Sequence, residues 1–336
     1  MPPALAIAAR PRWFSTAFET LIALRRYNRR VRIIFAGTPE TAVPSLSRLI
    51  AAGHDVLAVL TRAPAPRGRK RTLHPSAAHE AATALGIPVL TPRSLRDADI
   101  GKTIRELAPD AVAVVAYGLL VPADLLSVPR KGWINLHFSL LPEWRGAAPV
   151  QYAIAAGQEG TGASTFLLEE GLDTGPVFKT LSETIRPDDT SGTLLERLAH
   201  SGADLLVETF AALEDGSAIA TPQRGEPSYA PALSSADARV DWKQSAQQIE
   251  SMIRGYTPAP GPWTVLGDLR IKLGPVTPVP GTTDLVPGQL REDLVGTGSY
   301  AVRLGTVAPA GKRPMAATDW LRGAHLSPSA GFEVLA

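Results

Sequence analysis

The stretch Arg32-Ile-Ile-Phe-Ala-Gly-Thr-Pro-Glu40 sets the pattern for the chain up to residue 216. Ile33–Ala36 is apolar enough for a short buried strand, and the Gly-Thr-Pro-Glu sequence after it is typical of a turn into a helix. Thr38 can cap that helix, and Pro39 suits its first turn. A strand that leads directly into a helix predicts one unit of an alternating β/α chain.

The same alternation continues to residue 216. The further strands that we predict are Val56–Leu60, Val89–Leu90, Ala111–Ala116, Trp133–Phe138, Phe166–Leu168 and Val177–Leu181. The further helices that we predict are Pro75–Leu85, Ile100–Leu107 and Thr193–Leu213. Strands that alternate with helices indicate a parallel sheet with helical crossovers.

The sequence changes in character after residue 216. Residues 217–233 are polar and contain proline, which is typical of a linker. One helix, Ser245–Ile253, follows, and then short apolar stretches at Thr264–Leu266, Leu269–Leu273, Gly288–Leu290 and Tyr300–Leu304. Short strands at such spacing indicate a small barrel. We therefore divide the chain into residues 1–30, an α/β domain over 31–216, a linker over 217–233 and a C-terminal domain over 234–336.

Length and composition are those of an ordinary globular protein with two domains. The chain has 336 residues, 45% of them hydrophobic and 20% charged. It contains no cysteine, which excludes disulfides, thiolate metal sites and a cysteine nucleophile. Its six histidines are scattered, so we expect no metal site. No apolar run reaches the ~18 residues of a membrane helix, so we expect no membrane partner.

The first 30 residues differ from the rest of the chain in charge. They contain six arginines and one glutamate, a net charge of +5, whereas the whole chain carries +2 and the remainder therefore −3. An arginine-rich, acid-poor start fits a transit peptide to a mitochondrion or plastid. We favour a dispensable extension of a bacterial protein, or a start codon placed too far upstream, and therefore expect a cytoplasmic protein.

The segment from Arg62 to Arg71 is the most concentrated basic stretch in the remaining chain. It holds five basic residues and no acid. Because like charges repel, and because Pro and Gly disfavour regular structure, we predict a mobile surface loop. Such a loop either is merely solvated or binds phosphates. Its position directly after a predicted strand favours binding, since α/β sheets bind ligands at the carboxyl ends of their strands.

The sequence Trp133-Ile-Asn-Leu-His-Phe-Ser-Leu-Leu-Pro142 brings two polar side chains together. Residues two apart on a strand point to the same face, so Asn135 and His137 are predicted to lie side by side. An amide beside an imidazole suits the stabilisation of an oxyanion. Asp173, with a glycine two residues away on each side, can supply a carboxylate that orients the imidazole. The alternative is that Asn135 and His137 are structural and Asp173 belongs to a simple turn.

These residues resemble the methionyl-tRNA formyltransferase family from Arg32 to about Gly323. The motifs that carry the resemblance are Arg32–Glu40, Val-Val-Ala-Tyr-Gly-Leu-Leu-Val-Pro (114–122), Asn135-x-His137-x-Ser-Leu-Leu-Pro142, Trp-Arg-Gly-Ala-Ala-Pro (144–149) and Gly-Leu-Asp-Thr-Gly (171–175). Purine-pathway formyltransferases share the Asn/His/Asp set. The run at 144–149 and the C-terminal motifs at 239–242, 260–264 and 309–312 distinguish the chain from them.

The resemblance implies a fold and a set of ligands. The fold is α/β, with a doubly wound, mostly parallel sheet followed by a small OB-like β-barrel that helps to hold tRNA. Asn135, His137 and Asp173 fall on the catalytic positions. The positions implied for binding 10-formyltetrahydrofolate, the co-substrate, are Val115, Ala116, Tyr117, Gly118, Leu119, Ser139, Leu140, Leu141 and Pro142. The basic loop implied to approach tRNA contains Arg67, Arg69, Lys70 and Arg71.

Three residues depart from the pattern of the family. The family usually has glycine where this chain has Phe138, a basic residue at Glu143, and tryptophan at Ala259. Phe138 changes the rim of the expected folate pocket, and Glu143 removes a positive charge near the expected tRNA surface. None of the three coincides with Asn135, His137 or Asp173.

The reaction that the resemblance implies is transfer of a formyl group to the α-amino group of initiator methionyl-tRNA by a monomer without a metal. We expect Asn135 and a protonated His137 to stabilise the oxyanion, with Asp173 keeping the imidazole charged. Three alternatives stay open at this point: a formyltransferase for an amino-sugar nucleotide or another amine, a hydrolase of the folate, and a non-catalytic RNA-binding protein.

Overall fold

The computed structural model describes residues 31–67, 71–327 and 330–335, with the side chain of Arg67 excepted. The predictions for residues 1–30, and those for the side chains of Arg67, Arg69 and Lys70, therefore fall outside the described residues. No helix of the described ranges is both long and apolar enough to cross a membrane.

The first part of the described chain alternates strands with helices, as predicted. Its strands are β1 (Arg32–Gly37), β2 (Asp55–Leu60), β3 (Ala65–Arg67), β4 (Thr72–His74), β5 (Val89–Leu90), β6 (Ala111–Val115), β7 (Trp133–His137), β8 (Arg145–Gly146), β9 (Gly160–Leu167), β10 (Val177–Thr184) and β11 (Tyr229–Ala230). Its α-helices are α1 (Val43–Ala51), α2 (Ala77–Ala84), α3 (Ala98–Leu107), α4 (Ala123–Leu126), α5 (Pro149–Ala155) and α6 (Ser191–Asp215).

Within the described residues, the main sheet has seven strands in the order β10-β9-β7-β6-β1-β2-β5. The pairs from β7 to β5 are all parallel, whereas β9 and β10 are antiparallel to their neighbours. The predicted doubly wound, mostly parallel sheet is confirmed. Strand β1 lies between β2 and β6, so the order of the strands reverses there, and ligands of such sheets bind at the carboxyl ends beside a reversal.

Both faces of the sheet are buried, which is why its central strands are almost wholly apolar. Ile33 and Phe35 of β1 pack in the same core as the long helix α6, whereas Ile34 packs in the core on the opposite face. All three side chains are fully buried. The apolar runs of the sequence therefore correspond to strands covered on both sides.

The predicted cap at Thr38 is wrong. A 3₁₀ turn, Glu40–Ala42, precedes α1, and Pro39 occupies its N-terminal flanking position without a side-chain cap. The Thr38 hydroxyl instead donates to the carbonyl of Tyr117, 2.9 Å away. Thr38 thus connects the end of β1 to the segment after β6, because the two parallel strands end side by side.

The predicted irregular loop at 62–71 is also wrong in part. Strands β3 and β4 form an antiparallel hairpin, with Arg67 opposite Thr72. Proline is tolerated here because a two-stranded ribbon leaves backbone positions that need no partner. Arg71, at the turn, is exposed and has a φ of 50°. The described residues on both sides of the turn are therefore paired strands and not irregular chain.

The C-terminal part forms the small domain of antiparallel strands that the sequence predicts. Its strands are β12 (Trp263–Leu266), β13 (Leu269–Leu273), β14 (Val276–Val279), β15 (Leu290–Arg291), β16 (Leu294–Val295), β17 (Ala301–Leu304), β18 (Thr306–Pro309) and β19 (Met315–Ala316). Its helices are α7 (Ala246–Gly255) and α8 (Ala317–Ala324). In the described residues the strands make two four-stranded sheets, β12-β13-β18-β19 and β14-β17-β16-β15, around one apolar core.

The segment 217–233 lies along the first part of the chain. Its strand β11 pairs in parallel with β8, and Thr221 forms a bridge with Val177. The two parts also meet directly, where α5 packs on α7 and a side chain at Gly255 would come within 2.6 Å of the Gln151 carbonyl oxygen. The segment that the sequence presents as a linker therefore contacts residues next to the candidate site.

Candidate active site

A cavity of about 600 Å³ opens at the carboxyl ends of β6 and β7. Three segments form most of its walls. They are residues 116–121 after β6, residues 135–138 at the end of β7, and residues 168–173 after β9. Ala116 and Gly118 have positive φ angles of 48° and 79°, so the chain turns sharply away from the sheet at the end of β6. That turn leaves the space into which polar side chains of β7 project.

Asn135 and His137 lie side by side in the cavity wall, as the two-residue spacing predicts. On β7, Asn135 is opposite Phe166 of β9, and His137 is opposite Ser164. Asn135 is half-buried, whereas the His137 side chain is only 6% exposed. Leu136, between them, belongs to the core beneath. The alternation of the strand therefore separates the polar pair from its apolar support.

Asp173 reaches the same place from the segment between β9 and β10. Its Oδ2 lies 3.8 Å from His137 Nδ1 and accepts a hydrogen bond of 2.7 Å from the Gly146 N–H. The Asp173 backbone has a φ of 50°, which is uncommon for a residue other than glycine. The structure thus brings together the three residues that the sequence predicts as a set.

The tautomer of His137 follows from its second contact. Nε2 lies 2.9 Å from the Trp144 carbonyl oxygen, which can only accept, so Nε2 carries a proton and Nδ1 is the atom that gains or loses one. Burial lowers the pKa of His137, while Asp173 and the Trp144 carbonyl oppose that effect. The imidazole is therefore neutral near pH 7. The expectation that Asp173 keeps His137 protonated is corrected, because burial outweighs the nearby carboxylate.

The segment 144–146 supports both ionisable groups. Trp144 supplies the carbonyl for His137, and its own N–H donates to Ser228 Oγ at 2.8 Å. Its indole N–H donates to Gln158 Oε1, and its ring stacks on Tyr152. The sequence presents this segment only as part of a family motif. Its role in holding the site depends on contacts with residues far along the chain.

The residues implied for the folate divide into two groups. Ala116, Tyr117, Gly118 and Leu119 line the cavity, and Val115 lies in the sheet directly before them. Ser139, Leu140, Leu141 and Pro142 follow β7, and the buried Ser139 hydroxyl donates to the Glu143 carbonyl at 2.5 Å. This second group forms a turn beside the cavity and not one of its walls, and its contact with the folate stays a prediction.

Tyr117 lines the cavity, but its hydroxyl is enclosed by the protein. Its hydroxyl is buried and has no hydrogen-bond partner within the part of the chain that the structure describes. Burial raises the pKa of Tyr117, so the phenol stays protonated and keeps its donor. An unsatisfied buried hydroxyl costs about 1–3 kcal/mol.

Two of the three departures from the family pattern bear on the site. Phe138 is 7% exposed, packs in the core and contributes to the cavity wall. The Glu143 carboxylate accepts a hydrogen bond of 3.1 Å from Gln158, the residue that also holds the Trp144 ring. Ala259, the third, is exposed in the C-terminal part. No group of three or more His, Asp and Glu side chains in the described ranges could hold a metal ion.

Gly175 is expected to tolerate no side chain. A Cβ there would lie 1.7 Å from the Leu167 carbonyl oxygen, so the segment that carries Asp173 would have to move. We expect Gly175→Ala to lower the free energy of unfolding by about 2–4 kcal/mol in urea titrations, because the obstacle is backbone. Gly281→Ala is the matched control, since nothing lies within 4 Å of a Cβ at that position. Equal stability of the two variants would contradict the expected clash.

Comparison with known proteins agrees with this architecture. The family model described as Formyl transferase matches residues 29–210, and the model for its C-terminal domain matches residues 232–325. Among solved structures, an N-formyltransferase from Helicobacter canadensis is similar with a TM-score of 0.64 and 17% identity, covering 82% of this chain and 98% of that one. HypX from Aquifex aeolicus has a TM-score of 0.61 and 16% identity, covering 87% of this chain and 47% of that one. The fold and the family models define a formyl transferase with a second, C-terminal domain.

Curated relatives narrow the class. The methionyl-tRNA formyltransferase of Arthrobacter sp. (strain FB24) is 57% identical over 87% of this chain and 97% of its own length. The protein of the same name from Streptomyces coelicolor is 54% identical over 88% of this chain and 98% of its own length. The chain belongs to the methionyl-tRNA formyltransferase family.

Proposed function

We propose that this chain transfers the formyl group of 10-formyltetrahydrofolate to the α-amino group of initiator methionyl-tRNA, producing N-formylmethionyl-tRNA for the start of translation. The observation that carries this proposal is the convergence of Asn135, His137 and Asp173 on one cavity. Relatives that are 57% and 54% identical carry the name of this activity. The folate supplies an activated one-carbon group when it is bound.

The cavity suits a flat heteroaromatic ligand with polar edges. Leu119, Val121 and Leu126 offer apolar walls, and the side chains of Asn135 and Asp173 offer polar groups. The space of about 600 Å³ lies within the ~300–1,000 Å³ range of small-molecule sites. HypX, whose structure contains tetrahydrofolic acid, shares this fold. We therefore assign residues 116–121 to the folate, and leave the turn at 139–142 as a predicted second contact.

Asn135 provides the donor for the oxyanion. An attack of the amine on the formyl carbon places negative charge on the formyl oxygen, and a fixed amide N–H stabilises that charge. Phe166 lies opposite Asn135 in the sheet, and the strand on both sides of Asn135 is buried, so the backbone that carries the amide is held in the sheet. His137 Nε2 is occupied by the Trp144 carbonyl, which leaves Asn135 as the donor of the pair.

His137 handles the proton. Since Nδ1 is unprotonated in the resting protein, it can accept the proton that the attacking amine loses. Asp173 Oδ2, 3.8 Å away, stabilises the imidazolium that forms, and the Gly146 N–H keeps that carboxylate in place. His137 then returns the proton to the leaving group, so the protein ends in the state in which it began.

The tRNA is proposed to contact the basic hairpin and the C-terminal domain. Arg71 is exposed at the tip of the hairpin, which follows β2 at the carboxyl edge of the sheet. The chain beyond residue 30 has a net charge of −3, so a polyanion must be met by a local concentration of positive charge. We also propose a cytoplasmic monomer. The bacterial origin of its curated relatives supports the compartment.

A formylation assay tests the proposed function. The full chain is incubated with 10-formyltetrahydrofolate and methionyl-tRNA, and the N-formylmethionine released from the tRNA is measured. We expect formylation of the charged tRNA and little loss of folate when tRNA is omitted. Folate consumption without tRNA would indicate a hydrolase. Formylation only of an amino-sugar nucleotide would indicate the other transferase, and tRNA binding without turnover would indicate an RNA-binding protein.

A further inference from the structure

Gln223, in the segment between the two parts of the chain, has a fully used side-chain amide. Its Nε2 donates to the carbonyl oxygens of Asp173 and Gly175, at 2.7 and 2.8 Å. Its Oε1 accepts from Arg145 Nε and Nη2, at 3.2 and 2.7 Å. Two carbonyls on one side and a guanidinium on the other fix which end of the amide is nitrogen.

These contacts close a ring through the active site. Gln223 holds the backbone of Asp173, the Asp173 carboxylate accepts from the Gly146 N–H, and Gly146 is the neighbour of Arg145, which returns to Gln223. A side chain at Gly146 would come within 2.6 Å of the Ala230 carbonyl oxygen. Strand β8 therefore also packs closely against β11 of the segment 217–233. Each member of the ring is therefore positioned by the next.

The segment that carries Asp173 needs such support. Asp173 has a φ of 50°, and both Leu172 and Thr174 beside it are exposed. Neither neighbour packs into the core, so the backbone on both sides of Asp173 gains little support from packing, although the carboxylate itself is only 12% exposed. Gln223 binds the carbonyls of Asp173 and Gly175, on both sides of the exposed Thr174, and so supports the backbone that carries the carboxylate.

We propose that Gln223 is a positioning residue that sets the distance between the Asp173 carboxylate and His137. This inference rests on the proposed function for the role of Asp173. Gln223 itself lies behind the segment 171–175, outside the walls of the cavity. The segment 217–233 thereby becomes part of the active-site support, and a displacement of about 1 Å in such support costs up to about 10²-fold in rate.

Two variants of similar size distinguish the positioning of Asp173 from mere attachment of the segment 217–233 to Arg145. Gln223→Leu removes all the contacts of the amide, whereas Gln223→Glu keeps an acceptor for Arg145 and loses both donors to the Asp173 and Gly175 carbonyls. Glu226→Leu, at an exposed position of the same segment, is the matched control. Urea titrations establish that each full-length variant is folded.

We expect both Gln223 variants to lower kcat by about tenfold to hundredfold, with KM for either substrate within about threefold of the parent. The control should keep the kcat of the parent. In NMR titrations of the imidazole, His137 should lose its proton at lower pH in Gln223→Leu than in the parent, because a displaced carboxylate favours the imidazolium less. The titration uses Gln223→Leu alone, since Gln223→Glu adds a carboxylate that would itself favour the imidazolium. A purely structural residue would leave that titration unchanged.

Three results would overturn the inference: parental kcat in Gln223→Glu, a change confined to KM for tRNA, or an unchanged titration of His137 in Gln223→Leu. The parent, in the same formylation assay, tests the proposed function separately. If the parent does not formylate methionyl-tRNA, the proposed function fails, and the titration of His137 still decides whether Gln223 positions Asp173.

Discussion

Alanine at Asn135, His137 or Asp173 is expected to lower kcat by about 10²-fold or more while the chain stays folded. Removal of the Asn135 amide takes away the donor to the oxyanion, and removal of His137 takes away the proton acceptor. Without Asp173 the imidazolium loses the carboxylate that lies 3.8 Å from Nδ1. Steady-state formylation of methionyl-tRNA measures kcat, and urea titrations show that each variant is folded.

The three losses are not expected to multiply. Asp173 acts through His137, so once the imidazole is absent, the loss of the carboxylate should cost little more. His200→Ala is the matched control, since His200 is exposed on α6 and away from the cavity walls. A triple variant whose loss equals the product of the single losses would contradict a concerted site.

The strands of the parallel sheet could be predicted because burial on both faces leaves a strong local signal. Strand β6 is five consecutive buried apolar residues, and the polar positions of β7 alternate with apolar ones. That alternation is enough to place Asn135 beside His137. The alternation does not predict the protonation state of His137. That state depends on burial by residues that no local pattern identifies.

The elements that could not be predicted from the sequence are strands that pair with residues far along the chain. Strands β8 and β11 have two residues each and pair Arg145 with Tyr229 across more than eighty positions. Neither has a periodicity of its own, so residues 217–233 present only the composition of a linker. The support that Gln223 and Ser228 give to the candidate site cannot be predicted from the sequence for the same reason. It consists of side-chain contacts with the backbone of residues far along the chain.

For the hairpin of β3 and β4, the composition of the sequence predicted an irregular loop where the structure has paired strands. Pro66 pairs with Leu73, and a two-stranded ribbon accepts proline because each strand has a free edge. Charge repulsion was expected to keep the segment open. Residues 65–67 and 72–74 instead pair as two antiparallel strands, and Arg71, which directly precedes the return strand, is exposed.

The sequence between Arg67 and Arg71 concentrates four basic residues, which suits a polyanion, and their replacement is expected to give the second large effect. Alanine at Arg67, Arg69, Lys70 and Arg71 is expected to weaken the binding of methionyl-tRNA on the order of 10²-fold near physiological salt. If each side chain meets one phosphate, fewer counterions are released on binding. The slope of log affinity against log salt should then fall by about three to four.

The matched control removes the same charge elsewhere. Alanine at four exposed basic residues of the same domain, Arg93, Arg96, Lys102 and Arg130, leaves the net charge equal to that of the hairpin variant. Binding is measured by titration of labelled methionyl-tRNA at several salt concentrations, with folate binding in parallel. A local contact predicts a large loss for the hairpin variant alone, since screening limits distant charges to within about 10 Å. Equal losses in both variants would make the attraction a property of net charge, and a parallel loss of folate binding would mean that the hairpin shapes the cavity instead of holding RNA.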